Sequence, residues 1–357
     1  MSRNERTTMR LIAAELGVSV SLVSRALSGK AKEFRISQST EQAILKSAKR
    51  HNYSPNRVAR GLRLGKTNTL GLVVPNISNF FYSNVVRQVE RAARDKGFSI
   101  LLADSQDDED VERKSVTILR ESMVDGIAIA PCGLRCDHIV SAKEEKFPIV
   151  CVDGYFPDSG VPYVISDHIA GARMAVRHLL ENGHSEIAFV QGYPDVQVSY
   201  DRLGGFKAEL ADYGIAVKDH MIVGEQFSYQ SGYEAARKVL ERQHPPTALF
   251  AVNNEIALGV LGAIQEKGLS VPGDVSVVAF DDLPWVLHLR IPLTTVAQNY
   301  EELGQGVVDL LVQSIQGDTP QQSVSVVVPV RLVERGSVRK LRSLRNAHHE
   351  ISSSKIL

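Results

Sequence analysis

Residues 8–29 read TMRLIAAELGVSVSLVSRALSG, and this stretch decides how the N-terminal part of the chain folds. Its apolar spacing predicts two short helices joined by a Gly-containing turn, at the interval of a DNA-reading helix-turn-helix. Leu11, Ile12 and Leu16 give the first helix an apolar face. Gly17 breaks that helix where the chain reverses, and Ser19 stands where a helix N-cap belongs. Val23 and Leu27 are spaced i, i+4 and are expected to face the core. Val20, Ser21, Ser24 and Arg25 point away, on the side of the second helix that would enter the major groove. An ordinary helical hairpin needs the same glycine and the same spacing, so the motif alone leaves both readings open.

Charge favours the DNA reading. Residues 1–66 hold 14 Lys and Arg against 4 Asp and Glu, whereas the whole chain has 41 of each sign. The remaining 291 residues therefore carry 27 positive and 37 negative side chains. A basic head attracts phosphate through counterion release, and an acidic body resists coating nucleic acid indiscriminately. A merely solvated basic tail would lack the apolar periodicity of residues 8–51.

Ser37 is placed to cap a third helix from Gln38 to about His51, with Ala43, Ile44 and Ala48 inward. NYSPNRVARGLRLGKTN, residues 52–68, then predicts a short Arg-rich helix after Pro55 that Gly65 ends. A basic linker is the plainer alternative. Gly65-Lys66-Thr67 is like the end of a phosphate-binding loop, but position 60 is Arg where that loop needs Gly, and a strand follows rather than precedes it. Nucleotide binding is rejected.

The 357 residues suffice for two or three domains, and 43% apolar content supports sizeable cores. No run of about 18 apolar residues suggests a membrane span. MSRNERTTMR lacks the apolar centre of a secretory signal. Cys132, Cys136 and Cys151 are too few and too close for a disulfide framework, so a cytoplasmic setting is expected. Cys132, Cys136 and His138 supply only three candidate ligands at unconvincing spacing. No metal or cofactor is expected.

From residue 69 strands alternate with helices: TLGLVVP, FSILLAD, GIAIAP and PIVCVD form one series, and YVISD, EIAFVQG, a strand near 219–225, TALFAVN and VSVVAFD a second. Continuous apolar strands alternating with helices predict parallel sheets covered on both faces, and two series predict two similar lobes. Such sheets bind ligands beyond the carboxyl ends of their strands. Asn76, Asp153, Asn253 and Asp281 fall there.

Several motifs together carry a family resemblance: GVSVSLVSRAL, NYSPNRVARGLRLGKTNTLGLVVP, RLGGF, NNEIALG, and VSVVAFDD followed by IPLTTVAQ. With these the chain resembles the lactose repressor/galactose repressor family of bacterial transcription regulators, from about Thr8 to Arg335. The resemblance implies an all-α helix-turn-helix head (1–53), a hinge helix or linker (54–66), and an α/β two-lobe body like periplasmic sugar-binding proteins (67–336). A flexible tail from 337 is the expectation for the rest, because a sustained leucine heptad is lacking. It further implies a homodimer on a near-palindromic double-stranded operator.

Residue roles follow from the same resemblance. Val20, Ser21 and Arg25 fall on base-reading positions, where Arg25 can pair with guanine O6 and N7. Ser19 and Ser24 suit phosphates. Tyr53, Asn56 and Ala59 join the DNA-contacting set, and Leu62 falls on the hinge leucine wedged into the minor groove. Asp153, Arg202, Asn253 and Asp281 fall on effector-binding positions. Asn76, Phe81, Tyr82 and Phe227 complete the expected cleft, the rings offering faces to a sugar. Trp285 is expected near the effector. The chain departs from the family pattern at Leu11, Leu22, Glu41 and Asn254, and its 30–37 loop, KAKEFRIS, is longer than usual.

The function expected is a repressor controlled by a small carbohydrate-type effector in the inter-lobe cleft. The alternative is a sugar-binding or chemoreceptor protein with no DNA role. An enzyme is not expected, because no nucleophile elbow, metal-binding helix or intact phosphate loop is present.

Overall fold

Hydroxyl side chains start each helix of the head. Thr8 caps α1 (Met9–Leu16), Ser19 caps α2 (Val20–Leu27) and Ser37 caps α3 (Gln38–Arg50), each accepting a bond from the N–H three residues on. Gly17 ends α1 at φ 62°, a left-handed turn in which its N–H reaches the Ala13 carbonyl. These elements come from a computed structural model that describes residues 8–53, 66–317 and 324–341. The chain falls into two units, 1–67 and 68–357.

The head core is Ile12, Ala13, Val23, Ala26, Ile44 and Ala48, with Leu16, Leu22, Leu27, Ile36 and Tyr53 packed around it. Two residues expected inside are not. Leu11 is 44% exposed and Ala43 is exposed. Each precedes a fully buried isoleucine, and one helical step of about 100° swings it off the core face. Ser47 is buried instead, and its Oγ donates to Glu15 (2.8 Å). Glu15 also pairs with Arg50 and His51, tying α1 to α3.

In the second unit, strands β1 (Thr69–Val74), β2 (Ser99–Asp104), β3 (Gly126–Ile129), β4 (Ile149–Val152) and β5 (Tyr163–Ser166) join β11 (Ser325–Val328) in one sheet. Its order is β11-β5-β4-β3-β1-β2, parallel throughout. The second sheet contains β6 (Ile187–Val190), β7 (Ile222–Val223), β8 (Ala248–Ala251), β9 (Ser276–Phe280), β10 (Thr294–Ala297) and β12 (Arg331–Val333), ordered β12-β10-β9-β8-β6-β7. Among the described residues only the β10–β12 pair is antiparallel. The two-lobe reading is borne out, with the inner strands of each sheet buried on both faces and the edge strands partly exposed.

The division between lobes differs from the order along the chain. Tyr163–Ser166 closes the first sheet rather than opening the second, pairing with β4 and β11. Among the described residues the chain passes between lobes after β5, after β10 and between β11 and β12. A helix at Tyr300–Gln316 follows the second passage and buries Leu303, Val307, Val308 and Leu311 against the first sheet. Burial on both faces makes these strands alike in composition, so only pairing distinguishes their sheets.

Residues 337–341, placed in the tail by the sequence reading, stay bonded to the second lobe. Ser337 Oγ donates to the Val277 carbonyl (2.6 Å), and Leu341 N–H reaches Asn182 (2.8 Å). No helix of the described residues is long and apolar enough to cross a membrane.

Candidate ligand cleft and nucleic-acid interface

One cavity lies where the strand ends of the two sheets face each other. It brings together all eight residues named for the cleft: Asn76, Phe81, Tyr82, Asp153, Arg202, Phe227, Asn253 and Asp281. Asp153 follows β4 and Asp281 follows β9, with φ of 65° and 76°. Asp adopts this left-handed turn more readily than most residues.

The centre is charged and buried. Asp153, Arg202 and Asp281 are each at most 5% exposed. Arg202 donates to the Val252 carbonyl and to His168 Nδ1 (3.3 Å), with its guanidinium carbon 4.0 Å from the Phe280 ring centroid. Its Nε has no partner. Tyr82 Oη donates to Asp153 Oδ2 (3.2 Å), while Asp153 Oδ1 accepts no hydrogen bond. Burial pushes the Asp153 carboxyl up to about 7 despite the opposing Arg202 charge, and the nearby Asp281 pushes the same way. Asp281 is likewise raised by burial. It accepts from Gln298 Nε2 (2.6 Å) and from the Asn254 N–H (3.3 Å) at the start of helix Asn254–Glu266.

The amides are partly committed. Asn253 Oδ1 caps that helix by accepting from Ile256 N–H (2.9 Å). Asn76 Oδ1 accepts from Ser78 N–H (2.9 Å). Phe81 packs edge-on to Tyr82 at 5.0 Å, and Phe227 packs edge-on to Tyr193 at 5.9 Å. Gly192 makes room for Phe227: a Cβ there would stand 2.3 Å from the ring.

Several lining residues escaped the sequence reading, including Asn79, Asp107, Tyr155, Tyr193 and Gln197. The strand-end rule, applied also to β2 and β6, finds Asp107 and Tyr193. His168 and Gln298 carried no signal, because their role is contact across the fold. Trp285 does not line the cavity; it sits on the turn Pro284–Leu287, against the second lobe's core. Glu112 accounts for the cysteine–histidine cluster: it accepts from Cys132 N–H (2.8 Å) and bonds His138 Nε2 (2.9 Å).

On the head, Ser19, Val20, Ser21 and Arg25 are exposed along α2, and Ser24 is half-buried. Tyr53 is half-buried against the head core. Asn56, Ala59 and Leu62, with the expected hinge helix, lie outside the described residues.

A helix-turn-helix head together with a two-lobe, parallel-sheet body around a polar cleft defines a DNA-binding regulator of ligand-responsive type. The comparisons agree. Residues 8–56 match the family described as "Bacterial regulatory proteins, lacI family", and residues 67–335 match "Periplasmic binding proteins and sugar binding domain of LacI family". Catabolite control protein A of Priestia megaterium is 33% identical over 92% of this chain and 98% of that one. The crystal structure of the lac repressor dimer bound to operator and an anti-inducer superposes with TM-score 0.84 at 27% identity, covering 94% of this chain and 100% of that one. The transcriptional regulator CelR–cellobiose complex gives 0.71 at 30%, covering 93% and 100%. The chain belongs to the LacI family, and is a DNA-binding transcriptional repressor of that family rather than an enzyme.

Proposed function

We propose that this repressor acts as a homodimer whose cleft takes an uncharged, polyhydroxylated effector, a sugar or sugar derivative. The carrying observation is the buried Asp153–Arg202–Asp281 set, with Asp153 Oδ1 and Arg202 Nε left without a hydrogen bond among the described residues. Buried groups of this kind gain most from a ligand that donates to the one and accepts from the other. Tyr82, Tyr155, Tyr193 and Phe227 offer ring faces at the same cavity. Among the described residues Arg202 is the one cation lining it, against the carboxylates of Asp107, Asp153 and Asp281. That balance disfavours a phosphorylated or carboxylated ligand. The cellobiose bound by CelR supports a carbohydrate.

Two of the passages between lobes are bonded to the cleft. His168, after the first, donates to the Asp153 carbonyl (3.0 Å), and Gln298, after the second, donates to Asp281. Effector at those carboxylates therefore biases lobe arrangement, and reciprocity makes effector and operator change each other's affinity by one factor. Leu62 and segment 54–66 are the proposed relay to DNA. Strand β2 supports the homodimer: it edges its sheet and exposes Leu101 (42%) and Leu102 (39%). A cytoplasmic location is part of this reading, and the DNA-binding family supports it.

The test is a thermal-shift screen of neutral sugars, sugar phosphates and purines. Hits are then titrated into a complex with operator recovered from randomised duplexes. Hits confined to sugar phosphates or purines would overturn the assignment.

A further inference from the structure

Arg25 leaves the last turn of α2 and lays its guanidinium over the ring of Phe34, with the guanidinium carbon 4.0 Å from the ring centroid. Phe34 belongs to the long loop after α2, and it is 40% exposed although large and apolar. The loop is an ordered structure. Lys30 N–H bonds the Arg25 carbonyl (3.1 Å), Phe34 N–H bonds Lys30 (3.2 Å), and Ile36 N–H bonds Ala31 (2.8 Å). Ala31 is 1% exposed, and Ile36 packs on the head core. Lys30 and Glu33 pair with each other at 3.5 Å. Arg25 has no carboxylate partner among the described residues. Phe34 is thus held at a set place by backbone bonds and buried neighbours, with its ring directed at one exposed arginine.

We propose that Phe34 is a positioning residue for DNA recognition, a platform that holds the Arg25 guanidinium for a guanine edge. The inference rests on the base-reading role given to Arg25. A ring against one face of a guanidinium leaves the in-plane N–H groups free, and those groups make the forked contact to O6 and N7. A free arginine loses rotamer freedom on docking; one already stacked loses less. The 30–37 loop therefore acts in specificity, although none of its residues need touch a base.

The experiment measures full-length protein on selected operator and on random duplex, for Phe34→Ala, Phe34→Tyr, Arg25→Ala and the Phe34→Ala/Arg25→Ala double variant. Phe34→Ala should weaken operator binding about two- to fivefold, the worth of an exposed cation–π contact. Random-duplex binding and the melting temperature should hold, and Phe34→Tyr should restore operator affinity. In the Arg25→Ala background Phe34→Ala should cost nothing more. An equal loss in both backgrounds would make Phe34 a direct DNA contact and overturn the proposal, as would unchanged operator affinity in Phe34→Ala. If Arg25→Ala itself weakens operator and random duplex equally, the base-reading role of Arg25 is what fails.

Discussion

Arg202 fixes the tautomer of His168. A guanidinium only donates, so His168 Nδ1, 3.3 Å from Arg202 Nη2, accepts. The imidazole proton then sits on Nε2 and is donated to the Asp153 carbonyl at 3.0 Å. Burial, reinforced by the Arg202 charge, pushes His168 down to about 3, so it is neutral at physiological pH. One residue pair thereby joins a strand end of the first lobe to a helix of the second.

Removing the central charges should cost effector binding while sparing DNA binding. Arg202→Ala and Asp281→Ala each lose a charge-assisted contact, roughly 1.5–3 kcal/mol or one to two decades in affinity. Operator affinity without effector should stay near wild type. Calorimetry beside a melting curve checks this. Normal effector affinity with an earlier melt would reduce either residue to a brace.

Effector affinity should depend on pH through Asp153. Hydroxyl donors favour the ionised carboxylate, so affinity falls as pH drops through about 7, by up to about tenfold per unit. Titrations at several pH values, in buffers of different ionisation enthalpy, would detect the released proton. A flat profile removes Asp153 as the linked group.

The same carboxyl is a stability liability. Its folded value, about 7, lies above the ordinary 3.8 of an aspartate, so the penalty is absent in acid, grows above 3.8 and is complete above about 7. Asp153→Asn should therefore raise the melting temperature more at pH 8 than at pH 4, while weakening effector binding. A greater gain at pH 4 contradicts this sign.

Leu62→Ala should weaken operator binding and reduce DNA bending, with effector affinity unchanged. An apolar wedge acts by unstacking a base step, so the bend is its direct readout. A bend unchanged in the mutant complex excludes the wedge.

Trp285 should report the lobe rather than the ligand. It stands off the cavity on the turn Pro284–Leu287, so an emission change on adding effector would register rearrangement of the second lobe. Phe substitution at Trp285 should leave affinity within about twofold, a surface-scale effect of less than about 0.5 kcal/mol. A large loss would make it part of the binding site.

Much of this protein is legible in one dimension. Local rules act within a few residues, so Ser19 and Ser37 announce their helices, Gly17 its turn, and Ile12, Val23 and Ile44 the head core. Strand ends lie on a common edge in parallel sheets, so Asp153, Asn253 and Asp281 can be placed at a cleft by position alone. Family resemblance supplied Arg202, Phe81 and Phe227, which no spacing rule singles out.

Tertiary structure decided the rest. Tyr163–Ser166 and Ser325–Val328 join one sheet across a long stretch of chain, and hydrophobic pattern carries no record of which sheet an apolar strand enters. Leu11 and Leu16 look equally apolar, yet helical phase puts one in water and the other on the core. The protonation of Asp153 and His168 depends on burial and on Arg202, contributed by a distant helix. Sequence determines what a residue can do over a few neighbours; desolvation and through-space charge arise only when distant segments meet.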